Sequence, residues 1–162
     1  MFGMSNREAA NGFTLLEALI ASALLAGALV TLASLVSAGL AQSASMRRTI
    51  AAVVLAQSKL EELRALPWRF AADGSRISSA ALAPSPPASL STDAMGWVEP
   101  LDRFGANPSP GRPQTYRRRW SIAPWQTDPD TLVLQVCVFA SSEAAVAGVA
   151  EACVAAIRTR KP

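Results

Sequence analysis

Asn11-Gly-Phe-Thr-Leu-Leu-Glu-Ala-Leu-Ile20 opens an apolar stretch that continues to about Leu40, and its reading decides the fold. From Phe13 to Val36 the only charged residue is Glu17. A run of roughly 20 apolar residues is enough to cross the hydrocarbon core of a bilayer as a helix. An ordinary secretory signal has a basic start, an apolar core and then a cleavage site with small residues. Here the order is inverted: a short polar leader with Arg7 comes first, then Gly12, then the apolar segment. A cut after Gly12 leaves that segment on the mature chain as an anchor.

Glu17 is the residue that needs a physical account. A carboxylate inside a membrane segment costs several kcal/mol unless something pairs with it. One reading is a glutamate near the helix end reaching up to the headgroups. The other needs a nearby cation, and a cut after Gly12 creates one. The new α-amino group of Phe13 lies four positions before Glu17, on the same chain or on a neighbouring copy.

Gly12-Phe13-Thr14-Leu15-Leu16-Glu17 resembles the class III cleavage and methylation motif of type IV pilins and type II secretion pseudopilins. The resemblance implies cleavage after Gly12 by a membrane prepilin peptidase and N-methylation of Phe13. It also implies that Glu17 promotes docking of the subunit into a growing filament. The implied partners are the peptidase, other pilin or pseudopilin subunits and an inner-membrane assembly platform. The implied location is the bacterial inner membrane, single-pass, with the C-terminal domain in the periplasm, then the pilus or pseudopilus after assembly. Orientation rests on this resemblance, because Arg7 on one side competes with Arg47 and Arg48 on the other. The uncleaved signal anchor is the alternative.

Within the anchor, Ala18, Ser22 and Ala26 are spaced by four, as are Ala23, Gly27 and Thr31. Such small-residue rows let helices approach closely in a bilayer, although an alanine-rich helix also produces them by accident. From Ser43 the pattern turns amphipathic. Val53, Ala56, Leu60 and Leu63 follow helical spacing, with Lys59, Glu61, Glu62 and Arg64 left to face water. Lys59 and Glu62, three apart, are placed to pair. Pro67 disfavours helical geometry at Leu66, where the helix is expected to stop. A helix from Phe13 to Leu66 is roughly 80 Å long, so its second half must lie on the globular domain. The segment Thr49–Arg64 is similar to minor pilins of the PilV group and to the I-type minor pseudopilins of type II secretion.

Residues Trp68 to Gln114 hold seven of the eleven prolines, which favours irregular structure with short pieces of strand or turn. Three longer strands are expected at Tyr116–Ala123, Thr131–Ala140 and Val149–Arg158. Asp128-Pro129-Asp130 is the expected turn between the first two, and Ser141–Gly148 the next connection. Cys137 and Cys153 have their midpoint at residue 145, the centre of that connection. A simple hairpin there places them opposite each other, within disulfide reach, and outside the cytoplasm the bond persists. Two buried free cysteines are the alternative.

Arg117-Arg118-Arg119 between Tyr116 and Trp120 invites a nucleic-acid reading. Strand alternation sends Arg117 and Arg119 one way and Tyr116, Arg118 and Trp120 the other. A solvated strand face, with the Arg118 stem covering apolar surface, is the better expectation, so nucleic acid is not an expected partner. Asp128 and Asp130 lack the repeated oxygen ligands of a calcium loop and read as turn residues.

The chain of 162 residues has room for one modest globular domain, and its formal charge of +3 is mild. It has no histidine, which removes Ser-His and Cys-His nucleophile pairs, histidine bases and histidine metal sites. No enzymatic activity, cofactor or metal is expected. The expected class is α+β: a long N-terminal helix, transmembrane in its first half, packed on a small antiparallel β-sheet. The expected layout is a leader at 1–12, a transmembrane assembly helix at 13–40, an amphipathic continuation at 41–66 and a globular domain at 67–162. The resulting expectation is a minor pilin-like structural subunit for initiating or assembling a type IV pilus. A minor pseudopilin of a type II secretion system, or an uncleaved single-pass periplasmic binding module, is the alternative.

Overall fold

The structure, a computed structural model, describes residues 14–141 and 148–161. Helix α1 covers Leu15–Ala65, and the chain divides into two compact units, one ending at Ala44 and the other starting at Ser45.

In the first unit every described residue from Thr14 to Ala44 is exposed. The stretch is long and apolar enough to cross a membrane. Its hydroxyl residues do not spoil that property. Ser22 donates to the carbonyl of Leu19 at 2.9 Å, Thr31 to Ala28 at 2.8 Å, Ser34 to Thr31 at 2.8 Å and Ser37 to Ser34 at 2.8 Å. These four hydroxyls are thus satisfied inside the helix, which is what a hydrocarbon surrounding demands of a polar group.

In the second unit α1 buries one face: Ala52, Ala56, Lys59, Leu60 and Leu63. Against the sequence expectation, Val53 is only half-buried and Lys59 is 5% exposed, so the buried stripe is rotated slightly and includes a cation. The helix stops at Ala65, one residue earlier than Pro67 alone suggested. The last carbonyls of a helix lack partners within it. Here the Arg158 guanidinium supplies them, donating to the carbonyl oxygens of Leu63 and Leu66.

After the helix, β1 (Trp68–Phe70) and β2 (Arg76–Ser78) form a small antiparallel hairpin, followed by a short 3-10 helix at Ala80–Leu82. The main sheet has four antiparallel strands in sequence order: β3 (Val98–Leu101), β4 (Tyr116–Trp125), β5 (Asp128–Ala140) and β6 (Ala152–Thr159). Tyr116, Trp120 and Ile122 of β4 and Leu132, Leu134, Val136 and Val138 of β5 alternate onto one face. They form a single core with Ala52, Ala56, Leu60 and Leu63. This is the α+β, pilin-like arrangement of a long helix on a small antiparallel sheet.

Two details depart from the sequence reading. The β4–β5 turn consists of Gln126 and Thr127, because Asp128 already pairs with Trp125 and Pro129 lies within the strand. The register shifts between Pro124 and Trp125, at a point where Pro124 and Pro129 carry no N–H for the ladder. The third strand starts at Ala152, three residues later than expected. Pro100 sits in β3, which is tolerated because β3 is an outer strand.

The β3–β4 connection closes against the helix at Gly105. Its φ is +84°, a conformation that calls for glycine, and a Cβ there would push the tip of the Leu55 side chain aside. Asp102 organises the same connection, its Oδ1 accepting from the backbone N–H groups of Phe104 at 2.8 Å and Ala106 at 3.0 Å.

Candidate functional site

Gly12 and Phe13, the expected cleavage and methylation residues, lie outside the described residues. Glu17 is exposed and sits in the first turn of α1. Its backbone N–H donates to Thr14 Oγ1 at 3.2 Å. Thr14 therefore acts as the helix N-cap with Glu17 at the third helical position, the threonine-x-x-glutamate spacing of a capping box. That spacing is a local signal in the sequence, present beside the membrane-carboxylate pattern of Glu17. An acidic residue in a first turn is also favoured by the partial positive charge of the helix N-terminus. Glu17 thus has a local role before any partner is considered.

The globular unit holds its functional-looking groups in three places. Cys137 and Cys153 are direct partners in the β5–β6 register, with Cα atoms 4.1 Å apart and a sulfur–sulfur bond between them. Cys137 is buried and Cys153 is exposed.

The second is a charge cluster between α1 and the sheet. Lys59 Nζ lies 2.9 Å from Glu62 Oε1 and 2.8 Å from Glu99 Oε1, and 4.3 Å from the centre of the Trp120 ring. Arg118 donates from Nε to Glu99 Oε2 at 3.2 Å, and from Nη1 to the Leu55 carbonyl at 2.8 Å and to Ser58 Oγ at 3.0 Å. Arg118 is 8% exposed, so its guanidinium, and not only its stem, is under the helix. Arg119 is equally buried. It reaches Asp93 Oδ1 at 2.8 Å and the carbonyls of Leu90 and Ser91, while Arg117 reaches Asp93 Oδ2 at 3.0 Å. The alternation expected for the three arginines holds, but the solvated face does not. Two of the three are buried and all three are paired with carboxylates.

Glu99 illustrates what the cluster does to a titrating group. Burial pushes its pKa up, but hydrogen bonds from Lys59 and Arg118 outweigh this and hold it below the ordinary 4.5. A carboxyl lowered in the folded state contributes stability that is present above its unfolded pKa and is lost as pH falls through the folded one. Asp130 shifts the same way from 3.8, mainly through the hydrogen bond from Arg76, against burial and with help from Arg160. Urea unfolding followed from neutral pH downward should therefore show stability falling once pH drops below about 4.5. Glu99→Gln should flatten the upper part of that fall; an unchanged slope would remove Glu99 from the account.

The third place is the end of the unit near the helix C-terminus. Arg160 stacks on Trp68, with Cζ 3.6 Å from the ring centre, and binds Asp130 Oδ1 at 2.9 Å and the carbonyls of Arg69 and Ile77. Arg76 shares Asp130 at 2.9 Å. These contacts fasten the β1–β2 hairpin to β5 and β6. Asp128 accepts from the Thr131 hydroxyl and the Asp130 N–H. Among the described residues no group of three His, Cys, Asp or Glu side chains is placed to hold a metal.

Against family models, curated proteins and solved structures alike, the chain gives no match.

Proposed function

We propose that this chain is a minor pilin-like structural subunit that takes part in initiating or assembling a type IV pilus from the inner membrane. The observation that carries the reading is the junction Gly12-Phe13-Thr14-Leu15-Leu16-Glu17, which leads directly into a helix starting at Leu15. Past Glu17 that helix carries no further charge until Arg47, and its later part becomes core of a globular unit. Function then comes from self-association: the apolar helix buries itself among others, and the globular unit faces the periplasm. A mostly apolar buried face from Ala52 onward and an exposed stretch from Thr14 to Ile50 are what such a division of labour requires.

Intact mass and N-terminal sequencing, with and without a prepilin peptidase, test this reading. A peptidase-dependent N-terminus at Phe13, heavier by one methyl group, supports it. Met1 retained in both cases makes the chain an anchored binding module instead.

The Thr14 cap gives Glu17 a second possible job, and one substitution separates the two. Glutamine keeps the capping-box geometry but carries no charge. We expect Glu17→Gln to be cleaved normally and to enter filaments at least about tenfold less, equivalent to about 1.4 kcal/mol of lost pairing. Normal incorporation of the glutamine variant would assign Glu17 to capping alone.

A further inference from the structure

An open pocket of about 580 Å³ lies beside the end of α1, lined in part by Arg64, Trp68, Arg158, Arg160 and Lys161, with no carboxylate among the described residues of its wall. Its cations are poorly compensated. Arg64 pairs with Glu61 at 2.9 Å, but both side chains are largely in water, where such a pair is weak. Arg160 has Asp130, yet that one carboxylate also serves Arg76. Among the described residues Arg158 has only the carbonyls of Leu63 and Leu66 as acceptors. Lys161 has no ion pair among the described residues. Burial, and after it the positive charge of Arg64, lowers the pKa of Arg158 from its ordinary value. A cation in that position gains from any anion that enters.

We propose that this pocket binds a phosphate group, either as inorganic phosphate or as the terminal phosphate of a small phosphomonoester. Charge count favours phosphate over carboxylate: among the described residues Arg158 and Lys161 have no carboxylate partner, and a phosphate dianion brings two negative charges where one carboxylate brings one. The chemistry of the lining agrees: guanidinium groups suit phosphate oxygens, and the Lys161 ammonium adds a point charge. Arg160 is held by Trp68, Asp130 and two carbonyls, and Arg158 by two more, so both are positioned before a ligand arrives. Preorganisation of this kind reduces the entropy lost on binding. The inference does not depend on the filament reading, since the pocket lies wholly within the globular unit.

The test is isothermal titration of the full chain in neutral detergent micelles, with inorganic phosphate and separately with glycerol phosphate, at ionic strength held constant with chloride. Saturable one-site binding is expected, weakened about tenfold in Lys161→Gln and again in Arg64→Gln, both exposed positions whose loss leaves the helix cap in place. Tighter binding of the ester identifies a phosphomonoester as the ligand, and tighter binding of the free anion identifies phosphate itself. Absence of saturation up to about 10 mM phosphate overturns the proposal. So does binding that neither substitution alters.

Discussion

Arg118→Ala is expected to destabilise the globular unit by about 3 kcal/mol, the low end of the cost of removing one partner from a buried ion pair. The size follows from what is left behind. Glu99 Oε2 loses its guanidinium while remaining about two-thirds covered, and Lys59 on Oε1 offsets only part of the loss. The Leu55 carbonyl and Ser58 Oγ lose their donor from Nη1, and the apolar stem of Arg118 is removed from beneath the helix. For a unit of this size the melting temperature should fall by roughly 10 °C, measured by near-ultraviolet circular dichroism of the full chain in micelles. Arg117→Ala, one residue earlier on the other face, is the internal control. Its side chain and that of Asp93 are 39% and 45% exposed, so its loss should cost no more than about 1 kcal/mol. Equal effects at the two positions would show that burial beneath α1 contributes nothing special.

Arg118 also marks where the sequence stops being legible. Alternation in Tyr116-Arg-Arg-Arg-Trp120 tells which arginines share a face, because the period of a strand is fixed by its backbone. It does not tell which face will be covered, or by what. Lys59 and Glu99 are separated by 40 residues, and no local pattern announces that they will meet over Trp120. The same limit applies to Asp130. Its turn-like neighbours Asp128 and Pro129 suggested a loop, but Arg76 and Arg160 draw it into a strand from 54 and 30 residues away. By contrast the α+β class, the helix stop near Pro67 and the three long strands rest on periodicity and proline, which act within a few residues. Thr14 is an intermediate case. Its spacing to Glu17 is a local signal, obscured because the same glutamate carried a more conspicuous meaning.

Removing the Cys137–Cys153 bond, by reduction or by a double alanine substitution, should lower stability by about 3 kcal/mol in the chain-entropy account of a loop this long. The two cysteines are 16 residues apart, so the bond limits the unfolded chain substantially. The folded side of the argument makes β6 the strand that yields. It is an outer strand of the sheet, and the residues it turns toward the core, Ala152, Val154 and Ala156, are small or modest and only partly buried. Backbone pairing with β5, the Thr131–Thr159 hydroxyl contact, the grip of Arg158 on the end of α1 and the Arg160 contacts just beyond its last residue remain to hold it, most of them at its C-terminal end. Amide hydrogen exchange should therefore accelerate first at Ala152–Thr159 while β4 and β5 stay protected, and the helix end at Leu63–Leu66 should fray with it as Arg158 departs. A fall in melting temperature of roughly 10 °C is expected in the same sample. Should exchange instead rise evenly across β4, β5 and β6, the bond would be acting on the whole unit through the unfolded state alone. Should neither quantity change on reduction, the hairpin would be held by its ladder and the cysteines would serve no stabilising purpose.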